Sequence, residues 1–154
     1  DKGATPYNLR NCAYMDDFSK QKIIYPEITK FINFYYDERC FQVNNKCFIL
    51  SGKNIEYLTA FLNSSLFKFC FLNNFPELLG GTRELRKIFL EKIPILQVSE
   101  NVNIEFKNLI QLIQKLKEEQ VNTKHFEIEI ENRIFDLYNI TKEERDAIGF
   151  IEIQ

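Results

Sequence analysis

The sequence predicts an α+β fold: a small mixed β-sheet body with packed helices over residues 1–98, followed by a helical, partly coiled-coil-like tail over residues 99–154. Three observations predict it. Short apolar runs alternate with turn residues from Lys20 to Gly52, apolar residues recur every three or four positions from Ile104 onward, and the charge divides between the two parts. Residues 1–96 hold 13 Lys and Arg against 10 Asp and Glu, a balance of +3, whereas residues 97–154 hold 7 against 12, a balance of -5. The net charge of -2 therefore belongs to the tail, and the body can still carry a local positive surface.

In the body, Ile23-Ile24-Tyr25, Phe34-Tyr35-Tyr36, Phe41-Gln42-Val43 and Cys47-Phe48-Ile49-Leu50 read as strands of a meander. Asp37-Glu38-Arg39 and Asn44-Asn45-Lys46 supply turns between them, and 41–43 with 47–50 is the best hairpin candidate. Asn54 then caps a helix whose apolar face is Ile55, Leu58, Leu62, Leu66 and Phe69, bent near Ser64-Ser65. Pro76 and Gly80-Gly81 end it, and Leu85 to Leu96 reads as a strand-like run closed by Pro94.

The tail opens with a helix from Ile104, marked by Phe106, Leu109, Ile110, Ile113 and Leu116. A second helix places Phe126, Ile130, Ile134, Leu137 and Tyr138 on one side and Glu127, Glu129 and Glu131 on the other. Thr141-Lys142-Glu143-Glu144 is a capping box for a third, short helix that Gly149 ends.

With 45% hydrophobic and 27% charged residues, the composition is that of a folded soluble protein. The most apolar stretch, Tyr57 to Phe75, is interrupted by Asn63, Ser64, Ser65, Lys68, Asn73 and Asn74, so no membrane span is expected. Asp1-Lys2-Gly3-Ala4-Thr5-Pro6 has neither an initiator Met nor a signal-peptide pattern and reads as the start of a fragment. Cys12, Cys40, Cys47 and Cys70 form no C-x-x-C pair and lie far from the sole histidine, His125, which points to a reduced, cytoplasmic protein without a metal site.

Catalytic signatures are missing. No Asn/Asp-Pro-Pro-Tyr/Phe motif is present to hold a flipped base, and Gly80-Gly81 lacks the G-x-G spacing of a methyl-donor loop. Glu105-Phe106-Lys107 fits a nuclease triplet but falls on a helix, and Glu27-Ile28-Thr29-Lys30 is one residue too long. The loop Leu79 to Lys87 is different. Gly80 and Gly81 let a backbone approach a phosphate, Thr82 can donate, and Arg83, Arg86 and Lys87 can meet phosphate or a guanine edge. Equally, it could be a turn leading into a strand, with solvated charges. Lys20, Lys22 and Lys30, with Lys46 and Lys53 on nearby turns, could contact a nucleic-acid backbone or simply protect edge strands from aggregation.

Read in order, Lys22-Ile23-Ile24-Tyr25-Pro26-Glu27-Ile28, Phe34 to Asp37, Phe48-Ile49-Leu50-Ser51-Gly52, Tyr57-Leu58, Leu62-Asn63-Ser64 and the Gly80-Gly81 loop running to Leu90-Glu91-Lys92-Ile93-Pro94-Ile95 form an ordered motif set. The set resembles the TaqI-like C-terminal specificity domain of type IIG restriction-modification enzymes and adenine methyltransferases. Ile130 to Glu144 is similar to the ending that follows such domains and type I specificity subunits, although Asn139 stands where Gly is usual.

The resemblance implies a non-catalytic target recognition domain that reads double-stranded DNA beside a methyltransferase domain of the same or another chain. S-adenosylmethionine and Mg are then needs of the parent enzyme, with no cofactor in this fragment. It also raises Gly80 to Lys87 to first choice of DNA contact and Asn44, Asn45 and Lys46 to second. A competing class is a helical interaction or assembly module of a type I-like specificity subunit, docking through the amphipathic helices 104–118 and 126–138.

Overall fold

The computed structural model describes residues 15–149; Asp1–Pro6 and Cys12 lie outside the described residues. After a 3-10 turn (Met15–Ser19) come β1 (Lys22–Pro26), β2 (Ile28–Thr29), β3 (Tyr35–Asp37) and β4 (Cys47–Leu50). Helices α1 (Ile55–Leu62) and α2 (Ser65–Asn74) follow, then a 3-10 turn (Leu79–Gly81), β5 (Arg83–Glu84) and α3 (Lys87–Leu90). The long helices α4 (Glu100–Glu118) and α5 (Lys124–Leu137) precede the short α6 (Lys142–Ile148). The α+β class holds, with small sheets whose strand pairs are antiparallel: β3-β1-β4, and β2-β5.

The expected hairpin between 41–43 and 47–50 does not form, because β4 pairs with β1, Ile23 opposite Leu50 and Pro26 opposite Cys47. The carboxylate of Asp37 explains why. It accepts from the backbone N–H of Arg39 (2.8 Å) and of Phe41 (2.9 Å), and Cys40 takes a positive φ of 58°, so the chain leaves β3 as a tight loop.

α1 is buried on nearly every side and touches β1, β3, α2, α4 and α5, as a helix apolar around most of its circumference must. Asn54 precedes it in the left-handed region (φ 52°), but its side chain donates to Val98 O (3.3 Å) instead of capping the helix. The expected bend at Ser64-Ser65 is a full break: Asn63 closes α1, and the Ser64 hydroxyl caps α2 by accepting from Phe67 N–H (3.2 Å). Asn63 also holds the segment before β3, accepting from Phe34 N–H (3.0 Å) and donating to Phe34 O (2.7 Å).

Leu85 to Leu96 is not a strand. Its inward residues are Leu85, Phe89, Leu90 and Ile93, a helical spacing, and only α3 is regular there. α4 begins four residues earlier than Ile104, at Glu100, where Ser99 caps it. The capping box of Thr141 with Glu144, and Gly149 at the end of α6, stand as expected.

The amphipathic faces of α4 and α5 are buried within the chain. Phe106, Ile110, Ile113, Ile130, Ile134 and Phe135 share one core with Ile23, Tyr36, Phe61 and Phe67, so the helical tail closes the same interior as the sheet. Polar bonds fix it in place. Asn103 on α4 accepts from Tyr57 N–H (3.0 Å) and donates to Glu56 (3.0 Å), which also accepts from the Tyr36 hydroxyl (2.9 Å). Burial pushes the Glu56 carboxyl up, but the bonds from Asn103, its own backbone N–H and Tyr36, with the nearby charge of Lys107, outweigh it and hold it below the usual range.

Glu127 and Glu131, expected on the solvated face of α5, are buried instead. Glu127 accepts from the Thr123 hydroxyl (2.7 Å) and pairs with Lys117 (3.0 Å), while Glu131 accepts from the first N–H of α2, at Ser65 (2.7 Å).

Candidate nucleic-acid interface

Basic side chains can serve a polyanion only if they are solvated and not held by buried partners. β1 sorts the candidates by this test, because its ends lie roughly 13 Å apart at the usual strand rise. At one end stand Lys20, Lys22 and Lys53; at the other, the turn Asn44-Asn45-Lys46 and the loop Gly80 to Lys87.

Lys22 is not available to DNA. It is 0% exposed, opposite Asp37 in the β1-β3 register, and its ammonium is bonded to the Asp37 carboxylate and to Phe18 O (2.8 Å). A charge removed from water is tolerable only when paired and bonded in this way, which is why it cannot also reach outward. Lys20 is exposed but pairs with Asp17 (2.8 Å), and Lys53 follows β4 at the same end, beside Asn54.

The opposite end converges on one residue. Glu27 donates its backbone N–H to Lys46 O (2.9 Å) and accepts at its carbonyl from Leu85 N–H (2.8 Å). The turn 44–46 and the end of β5 are thus clamped to the same residue. The turn is shaped by Asn44, whose side chain accepts from Lys46 N–H (2.9 Å), leaving Asn45 and Lys46 exposed. β2 pairs with β5, Thr29 opposite Arg83, which sets Lys30 beside the glycine turn. A β-carbon on Gly81 would stand 3.9 Å from Lys30 Cε.

That turn needs its glycines. Gly80 and Gly81 have successive positive φ values of 77° and 76°, a conformation that side-chain-bearing residues take only with strain. It is closed by Leu78 N–H to Thr82 O (2.7 Å) and by the Thr82 hydroxyl to Leu79 O (3.1 Å), so the hydroxyl of Thr82 serves the turn first.

Arg83 is a second correction. Its side chain is 12% exposed, bonded to Phe75 O and Glu77 (2.9 Å), and lies over the Phe71 ring (5.9 Å); it bolts the loop to α2. Arg86 pairs with Glu84 (2.8 Å) in a more exposed setting, and Lys87 meets Glu91 at 3.3 Å with both side chains largely in water. Exposed pairs of this kind are weak and exchange readily for a phosphate. Lys30 and Lys46 form no ion pair among the described residues.

The structure therefore joins the Asn44–Lys46 turn to the segment that leads into Arg86 and Lys87 through Glu27, sets Lys30 against the Gly80-Gly81 turn, and leaves Lys20, Lys22 and Lys53 at the other end of β1. Two exposed apolar residues here, Phe31 and Leu79, carried no sequence signal, because an apolar side chain in a short run is read as core. The nuclease-like triplet does not assemble: Glu105 is bonded to Arg133 and Lys107 to Glu38 (3.0 Å). No group of three or more His, Cys, Asp or Glu among the described residues could hold a metal ion, and none of their helices is long and apolar enough to cross a membrane.

Comparison with known families gives one finding for this body: residues 4–95 match the family model described as the TaqI-like C-terminal specificity domain. The match ends before α4, although α4 and α5 complete its core. No curated protein matches the chain.

Proposed function

The chain belongs to the TaqI-like C-terminal specificity domain family, and from that premise we propose that it is the DNA-reading module of a type IIG restriction-modification enzyme or adenine-N6 methyltransferase. A specificity domain is non-catalytic by itself. The chemistry, with S-adenosylmethionine and Mg, then belongs to a methyltransferase domain of the same or another chain in the cytoplasm.

One observation carries the reading: Glu27 bonds both the Asn44–Lys46 turn and Leu85 after β5, and Lys30 lies against Gly81, so the unpaired Lys46 and Lys30 stand at the two ends of the short β2-β5 ladder. Lysines of this kind set register on phosphates, backbone amides of the glycine turn can approach closely, and Asn45 and Arg86 are the polar groups free enough to meet base edges. The assembly-module alternative gains nothing here, since the apolar faces it relies on are in the core.

Binding of the 154-residue chain to random-sequence duplex DNA at rising salt tests the proposal. Affinity should fall steeply with salt, and charge reversal at Lys30 and Lys46 together should abolish binding without unfolding the chain. Undetectable binding at low salt, or binding indifferent to both reversals, would overturn it.

A further inference from the structure

Phe31 and Leu79 are the most solvent-exposed large apolar side chains on the described chain, at 59% and 99%, and they stand on neighbouring turns. The Thr29 hydroxyl accepts from Phe31 N–H (3.1 Å) and bonds the Phe31 carbonyl, which presents Phe31 and Lys30 at the end of β2. Across the β2-β5 ladder, the Leu78–Thr82 turn presents Leu79. Single exposed apolar groups are ordinary, but two held by closed turns at one ladder end, beside the unpaired Lys30 and with Lys46 at the other end of the same ladder, gain nothing from folding. Their partner must offer apolar surface inside an anionic frame, and duplex DNA does so at thymine methyls and at the faces of unstacked bases.

We propose that Phe31 and Leu79 form an apolar tip that touches bases while Lys30 and Lys46 hold the flanking phosphates. The inference rests on the DNA-reading assignment and adds the groups that discriminate base from backbone. The turns fix the tip before binding, so little conformational freedom is lost on contact.

The test is equilibrium binding of the full chain to three short duplexes of one random sequence: fully paired, the same with uracil for every thymine, and the same with a central mismatch. Leu79→Ala and Phe31→Ala should each weaken binding to the fully paired duplex by about tenfold, with the salt slope unchanged; Leu79→Met should restore it. If wild type loses affinity on the uracil duplex and the alanine variants do not, the contact is to thymine methyls. If wild type gains on the mismatch and the variants do not, it is to an unstacked base face. Alanine variants that bind all three duplexes like wild type would overturn the inference alone and assign the tip to a protein surface. Loss of binding by wild type itself would overturn the DNA-reading assignment and this inference with it.

Discussion

At one end of β1, Lys22 and Asp37 face each other across the sheet with no exposure to solvent, and the same carboxylate holds the backbone of Arg39 and Phe41. At the other end, Lys30 and Lys46 stand in water without ion pairs, and two glycines with positive φ turn the backbone beside Lys30. The residue types are alike and their uses are opposite. A bonded charge fixes the fold and is lost to ligands, whereas an unbonded one contributes little to stability and remains free for binding.

Asp37→Ala leaves Lys22 buried and unpaired and releases two backbone donors; denaturant unfolding should show a loss of about 3–5 kcal/mol. A loss below 1 kcal/mol, outside that range, would mean that the pair is not what closes this end.

The next largest effect lies deeper in the closed part. Glu131 is 1% exposed, and burial raises its carboxyl to about 7, against the hydrogen bonds from Ser65 that favour its charged form. An unfolded chain releases that proton near the ordinary value of 4.5, so the stability that Glu131 contributes is complete below this pH, falls as pH rises toward about 7, and is level beyond. The fall should amount to roughly 3 kcal/mol. Thermal melts across this range should show it in wild type and not in Glu131→Gln, and a wild-type curve that is flat from pH 4.5 to 7 would contradict the assignment.

Asn63→Ala should cost about 2 kcal/mol, by stranding the N–H and carbonyl of Phe34, again read by denaturant unfolding. Smallest in stability are Lys30→Ala and Lys46→Ala, each within about 0.5 kcal/mol of wild type. Each should nevertheless reduce the salt slope of DNA binding by about 1, while Lys20→Ala and Lys53→Ala leave it unchanged. Equal effects from both ends of β1 would erase the distinction drawn between them.

Several parts of this arrangement were legible in the chain. The ordered motifs located the body, and much of what they encode is scaffold: Lys22 with Asp37, Asn63 with Phe34, and Ser64 as the cap of α2. The glycine turn and the Asn44–Lys46 turn were also readable, because left-handed backbone and side-chain-to-backbone bonding are local properties of Gly and Asn. Lys22 and Arg83 misled, since a cation in sequence carries no mark of whether its partner is water or a buried acceptor. Glu127 and Glu131 misled for the same reason.

The sequence by itself determined the α+β class, the helices of the tail with their capping box, and the positions of the turns, all of which depend on residues within a few positions of one another. Tertiary structure alone decided that β4 pairs with β1, that α4 and α5 close the core of the body, and that Glu27 joins the Asn44–Lys46 turn to the end of β5. Those outcomes rest on contacts between residues tens of positions apart, such as Glu27 with Leu85 and Tyr57 with Asn103, whose partners no local pattern specifies.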